Sequence, residues 1–322
     1  MLSDRDDHQS QVANGALKGC ILSDVMEQFR VPLMGKLAPP FRRFPLLLKF
    51  LDAGKMLSVQ VHPSDAHPEL IPAGDTGKTE AWVVVEAEKS SRIYAGLQPG
   101  TTDSDLRQAL ADNTLPDYLV SITPKPGDAV FIPAGTVHTL GGDVVVFEIQ
   151  QNSDVTFRLY DWDHIDAKTG QSRPLQVEKA LASIDFAKST GGLVAPLLEA
   201  RTPVLRERLF DCDHFLLWRL HGQSPFTVGA AGVPRVLVCI KGSGWLESDG
   251  AAYGVDKGQV WLLPAMAGAC VFRPNSEVTL LEIALPESFE NQSTTRGSAR
   301  TKVPIETARS LRWLNGEKAN CL

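Results

Sequence analysis

Short runs in which apolar positions alternate with polar ones, or fill the run entirely, organise most of this chain. FPLLLKFL, KMLSVQVHP, EAWVVVEAE, SRIYAGL, DAVFIPAG, DVVVFEIQ and DVTFRLYDW are rich in Val, Ile, Leu and Phe and are closed off by Gly and Pro, the pattern of strands separated by turns. Helical spacing is confined to three segments: LSDVMEQF near the start, DSDLRQALADN with Asp103 or Ser104 as its N-cap, and QVEKALASI around residues 176 to 184. The pattern predicts a mainly β protein in which a few helices decorate a sheet scaffold.

GDAVFIPAGTVHTL, from Gly127 to Leu140, recurs in outline as GQVWLLPAMAGACVF from Gly258 to Phe272, with Gly127 matching Gly258 and Pro133 matching Pro264. Two copies are too few for a solenoid and predict two β-domains of one architecture. The Gly- and Pro-bearing stretch from about 187 to 200 reads as their connection. From about Ser288 the polar SFENQSTTRGSAR reads as a surface segment. The expected division is a domain at 1–190 carrying the helices, a second at 200–287, and a polar C-terminal segment at 288–322.

Composition narrows the function. At 322 residues the chain can bury a substantial core. A formal net charge of -6, with no dense Lys/Arg run, argues against a nucleic-acid partner and leaves a small molecule as the expected one. Five cysteines are scattered with no CxxC pair, which suits a reduced, cytoplasmic protein. The opening MLSDRDDHQS is charged where a signal peptide needs an apolar stretch, and no apolar run approaches the roughly 20 residues that span a bilayer, so no membrane association is expected. Nothing in the pattern sets an oligomeric state.

In SVQVHPSDAHPEL a strand stops at Pro63, so Gln60 and His62 share one of its faces. Glu80 opens the next strand in GKTEAW, and His138 follows the turn in IPAGTVHTL. Imidazole and carboxylate suit a borderline divalent ion such as zinc, and side chains from separate strands of one barrel can converge on it. Taken singly, each has an ordinary alternative: a hydrogen-bonded histidine at a strand end, or a half-exposed strand carboxylate at Glu80.

Gly127, Pro133, Gly135 and His138 meet the pattern G-x5-P-x-G-x2-H, which resembles the second motif of the cupin superfamily, where a Pro-Gly turn aims the following His into the barrel. That motif usually closes with Asn, where this chain has Gly142. The second copy has Met266 and Ala269 at the second Gly and the His, so the second domain is expected to be metal-free. Together with SVQVHPSD, GKTEAW, PAGTVHTLGG and FEIQQNSDVTFRLYDWD, the chain from about residue 20 to 186 resembles the type I mannose-6-phosphate isomerases in their shorter bacterial form.

The resemblance implies two cupin (jelly-roll) β-barrel domains and one Zn2+ per chain, held by Gln60, His62, Glu80 and His138. It implies a zinc-dependent aldose–ketose isomerase that interconverts mannose 6-phosphate and fructose 6-phosphate by proton transfer between C2 and C1. Arg158, Glu148 and Lys78 then become catalytic, with Lys78, Asp154 and Arg158 on the sugar phosphate. Glu148 and Lys78 both stand as the base, and Lys78 stands equally as a phosphate ligand. Without the family, Arg158 reads as a strand arginine paired with Asp154 or Asp161, and Lys78 as solvated. Family members usually carry a Trp-Gly-Gly type segment ahead of the point where MLSDRDDHQS begins, so either a later start or a barrel short of an edge strand is expected. Two further readings are an iron-dependent cupin dioxygenase, whose two His and one carboxylate do not require Gln60, and a non-catalytic sugar-phosphate-binding cupin.

Overall fold

The computed structural model describes residues 1–165, 170–187 and 191–286. Helices form at Leu22–Gln28, Asp103–Ala111 and Val177–Ser183, where the spacing predicts them. The cap of the second is Thr102, not Asp103 or Ser104. Its hydroxyl accepts from the Asp105 N–H at 3.2 Å while the Asp105 carboxylate accepts from the Thr102 N–H at 2.8 Å, and this reciprocal box satisfies two donors that a cap one residue later would leave open.

Contacts divide the chain into two units, Leu46–Ala195, and Met1–Pro45 together with the chain from Pro196. Residues 1–45 therefore group with the later unit, where the expected 1–190 domain had placed them with the earlier one. The reason lies in close packing that sequence spacing does not encode. The Lys36 N–H donates to the Gly232 carbonyl at 3.0 Å, and Gly35, at φ +57°, approaches Gly232 and Ala265 so closely that a Cβ would overlap the Gly232 oxygen. Fully buried Asp4 accepts from the Phe44 N–H at 2.6 Å, tying the two ends of this segment together. The expected connection supplies edge strands to both units: Gly192–Leu193 pairs with Phe131 and Val130, and Leu197–Ala200 pairs with Leu205–Asp211. The segment 288–322 lies outside the described residues.

Leu46–Ala195 holds two five-stranded antiparallel sheets. One orders Gly192–Leu193, Ala129–Ile132, Glu80–Ala87, Val144–Gln151 and Leu46–Ala53; the other orders Phe157–Tyr160, Val59–Val61, His138–Gly141, Arg92–Leu97 and Leu119–Ile122. Trp82, Val84, Val130 and Val146 of the first meet Ile93, Ala95, Ile122 and Leu140 of the second in one buried core. The outer face of the second sheet, with Val59, Val61, Phe157 and Leu159, is covered by Leu106, Ala180 and Leu181 of the helices. Among the described strands no pairing joins the two sheets. The expected barrel is thus an open sandwich, the double-sheet form that a jelly roll takes.

The later unit repeats the plan with a six-stranded and a four-stranded sheet around Trp218, Leu220, Phe226, Leu237, Leu246 and Phe272. Gly127 and Gly258 both turn at positive φ, +92° and +87°, before strands Ala129–Ile132 and Val260–Leu263. Gly142 replaces the usual Asn for a steric reason: φ +74° would suit Asn, but any Cβ would stand 2.7 Å from the Ser90 carbonyl oxygen. No described helix is long and apolar enough to cross a membrane.

Candidate metal centre

Strand register brings the expected ligands together. Arg158, Gln60, His138 and Ala95 are successive cross-strand partners, so their side chains share one face of the sheet. Ala95 belongs to the core between the sheets, which fixes that face as the inner one. His62, two residues past Gln60, shares it. On the facing sheet Glu80, Trp82 and Val84 alternate inward, with Gln150 opposite Glu80, Glu148 opposite Trp82, and Lys49 opposite Glu148.

His62 Nε2 lies 3.3 Å from one Glu80 oxygen and His138 Nε2 lies 3.3 Å from the other. One candidate ligand atom from each of the three residues can be chosen so that all lie within 4.8 Å of one another, close enough for one ion. Relative exposure is 1% for Glu80 and His62 and 0% for His138, which removes the alternative of a half-exposed strand carboxylate. Gln60, the fourth expected ligand, lies beside them, its amide nitrogen 3.3 Å from His138 Nε2.

The tautomers follow from the partners. His62 Nδ1 is 2.9 Å from the Val155 carbonyl oxygen, and His138 Nδ1 is 2.8 Å from that of Thr136. A carbonyl only accepts, so each Nδ1 carries the hydrogen and each Nε2 turns a lone pair toward Glu80. Neither Glu80 oxygen makes an aligned hydrogen bond. Buried lone pairs facing a buried carboxylate repel, and a cation between them reverses the sign. Two imidazoles and a carboxylate are also the donor set that zinc-class ions take, and the Gln60 amide, turned over, offers an oxygen. The residues present fit a metal ion.

Charge around the centre is arranged to match. Burial and the Lys78 ammonium push the His62 imidazole down to about 3, and burial lowers His138, so both are neutral and ready to donate lone pairs. Burial opposes ionisation of Glu80, yet the neighbouring Lys78 ammonium holds its carboxyl well below the usual range. Lys78 is 5% exposed, with Nζ 3.2 Å from both His62 Nε2 and Glu80 Oε2; it is not a solvated lysine.

The remaining candidates divide. Glu148 is buried on the inner face, its carboxyl raised by burial and by the charge of Glu80. Its partner is Lys49, Nζ at 2.9 Å, which also donates to Gln150 at 3.2 Å. Sequence reasoning missed Lys49, although a lone lysine inside the apolar run LLLKFL was the available signal. Arg158 stands in the row of Gln60, and its Nη1 donates to the Pro174 carbonyl at 2.9 Å. The suggested Arg158–Asp161 pair is replaced by Arg173, whose Nε donates to Asp161 at 2.8 Å. Asp154 is exposed and acts on this cluster through its charge on Lys49.

A buried His–Glu–His centre between the facing sheets of a cupin-type sandwich is the class that fold and site define. The family model of the type I phosphomannose isomerase catalytic domain matches residues 4–81. The chain is 35% identical over 272 residues to mannose-6-phosphate isomerase ManA of Bacillus subtilis (strain 168), covering 80% of this chain and 79% of that one. The solved mannose 6-phosphate isomerase from Bacillus subtilis superposes with a TM-score of 0.80 at 27% identity, over 88% of each chain. A mutant phosphomannose isomerase from Salmonella typhimurium, at 14% identity and a TM-score of 0.66 over 88% of this chain and 90% of that one, shares the fold. The chain belongs to the type I mannose-6-phosphate isomerase family.

Proposed function

We propose that this protein is a zinc-dependent isomerase that interconverts mannose 6-phosphate and fructose 6-phosphate in the cytoplasm. The observation that carries the reading is the convergence of two neutral imidazoles on one buried carboxylate, His62 Nε2 and His138 Nε2 each standing 3.3 Å from a different Glu80 oxygen. Gln60, His62, Glu80 and His138 would hold one zinc per chain. Bound there, zinc supplies Lewis acidity to the sugar oxygens as negative charge gathers on them during C2–C1 proton transfer.

The chain's own groups do the rest. Glu148, its carboxyl raised by burial and by the charge of Glu80, stands on the inner face to take and return the carbon-bound proton, with Lys49 holding the carboxylate in place. Lys78 presents a positive charge to the sugar oxygens beside the metal ligands. Arg158, permanently charged, grips anionic oxygen and shares the developing charge, and Asp154 orients the substrate from the rim. The later unit binds no metal and serves packing.

The test is a coupled isomerase assay on purified protein, before and after chelation and zinc repletion, with His138→Ala as control. Activity lost on chelation and recovered with zinc supports the reading, and activity indifferent to both rejects it. Sugar-phosphate binding without turnover would describe a non-catalytic binder, and oxygen uptake with iron a dioxygenase.

A further inference from the structure

We propose that Asp65 and Gln151 are positioning residues, a latch that fixes Gly77–Thr79 so that Lys78 and Glu80 stand against His62. The inference rests on the metal-centre reading above for its consequence, though not for its geometry. Asp65 Oδ1 accepts from the Gly77 N–H at 2.6 Å, and Asp65 Oδ2 accepts from Gln151 Nε2 at 2.9 Å. Gln151 Oε1 in turn accepts from the Thr79 N–H at 2.8 Å, and the Gln151 N–H donates to the Thr79 carbonyl at 3.1 Å. Between them the Lys78 N–H donates to the Pro63 carbonyl at 3.1 Å. Three successive amides around Lys78 are thereby held from both sides by the segments that carry His62 and Glu148.

The chain of bonds has one polarity. Asp65 only accepts, so Gln151 must donate to it and accept from Thr79, which an amide alone among side chains of that length does. Gly77 makes the close approach possible, since a Cβ there would stand 2.5 Å from the Asp65 nitrogen. The latch extends through buried Ser153, whose hydroxyl donates to the Thr76 carbonyl at 2.8 Å. Groups that orient ligands from behind are typically worth about 10- to 100-fold in metal affinity.

Asp65→Asn and Gln151→Glu each break the polarity, the first by setting two amide NH2 groups face to face, the second by setting two carboxylates together. The double variant restores it in reverse: the amide introduced at position 65 donates to the carboxylate introduced at position 151, while both side chains still accept from the Gly77 and Thr79 N–H groups. Zn2+ titration of chelator-stripped protein is expected to show each single variant at least about 10-fold weaker, with most of the loss recovered in the double. Amide exchange at Gly77 and Thr79 should be slow in the wild type, fast in either single variant and slow again in the double. Single variants that exchange and bind as the wild type does, or a double variant no better than the singles, overturn the latch. A wild type that takes up no Zn2+ overturns the metal reading instead, and the exchange pattern still decides the latch.

Discussion

The two copies of the repeated segment share a positive-φ glycine, a strand and a proline, then part in the turn, where positive φ falls at Gly135 in the first and at Gly268, after the short helix Ala265–Ala267, in the second; they also carry different chemistry. Through the strand pairings, Gln60 corresponds to Gly229, Glu80 to Arg235 and His138 to Ala269, so three stations of the candidate ligand set hold a glycine, a cation and a methyl group in the later unit. Glu148 keeps its counterpart, because Glu282 stands opposite Leu237 as Glu148 stands opposite Trp82. There the carboxylate is spent on structure: Arg206 donates to it at 3.0 Å, lying over the Trp218 ring at 4.5 Å, and the Gly229 N–H donates at 2.8 Å. A jelly-roll sandwich therefore does not itself make a site. A few inward side chains at fixed registers do, and swapping them turns a chemical centre into a closed polar contact.

That contrast can be broken experimentally, most strongly in the earlier unit. His138→Ala should lower kcat/KM about a thousandfold, near the upper range for loss of an electrostatic stabiliser, as read by the coupled assay. A value within a few-fold of wild type would end the claim that the two turns differ in function. Next, Glu282→Leu leaves the Gly229 N–H without its acceptor and Arg206 with Glu199 alone, and should cost about 2 kcal/mol in urea unfolding, with kcat unchanged; the mirrored loss of activity would show that the later unit is not merely structural. Smaller still, Thr102→Ala should cost about 1 kcal/mol through the lost cap. Asp105 is held below its ordinary value of 3.8 by the Thr102 hydroxyl and N–H. The stabilisation is therefore complete above that pH and drains as pH falls through the lowered value, so the wild-type advantage should be constant near neutrality and shrink in acid. Finally, Ala269→His should leave the metal content unchanged, because Arg235 occupies the station of Glu80; a second ion per chain would contradict the register argument.

Much of this was legible in the sequence, for reasons that can be named. Period-two alternation put Gln60 and His62 on one face, and the Pro-Gly turn gave His138 its aim. Glu80 was visible as the carboxylate opening an apolar strand. What stayed hidden depends on which strand lies beside which. Lys49 and Glu148, or Asp65 and Gln151, lie far apart in the chain, the latter pair separated by 86 residues, and meet only through tertiary register. Open sheets and a closed barrel share the same alternation, so sandwich closure was equally unreadable. The grouping of residues 1–45 with the later unit turns on the close approach of Gly35 to Gly232, which no local pattern announces.

The most direct test of the central claim is the metal content of purified protein supplied with zinc, measured by inductively coupled plasma mass spectrometry beside Glu80→Gln. One zinc per chain in the wild type, falling to near none in the variant, is the expected result. A wild type without zinc, or a variant that retains it in full, would show that Glu80 and the facing imidazoles are not a metal centre.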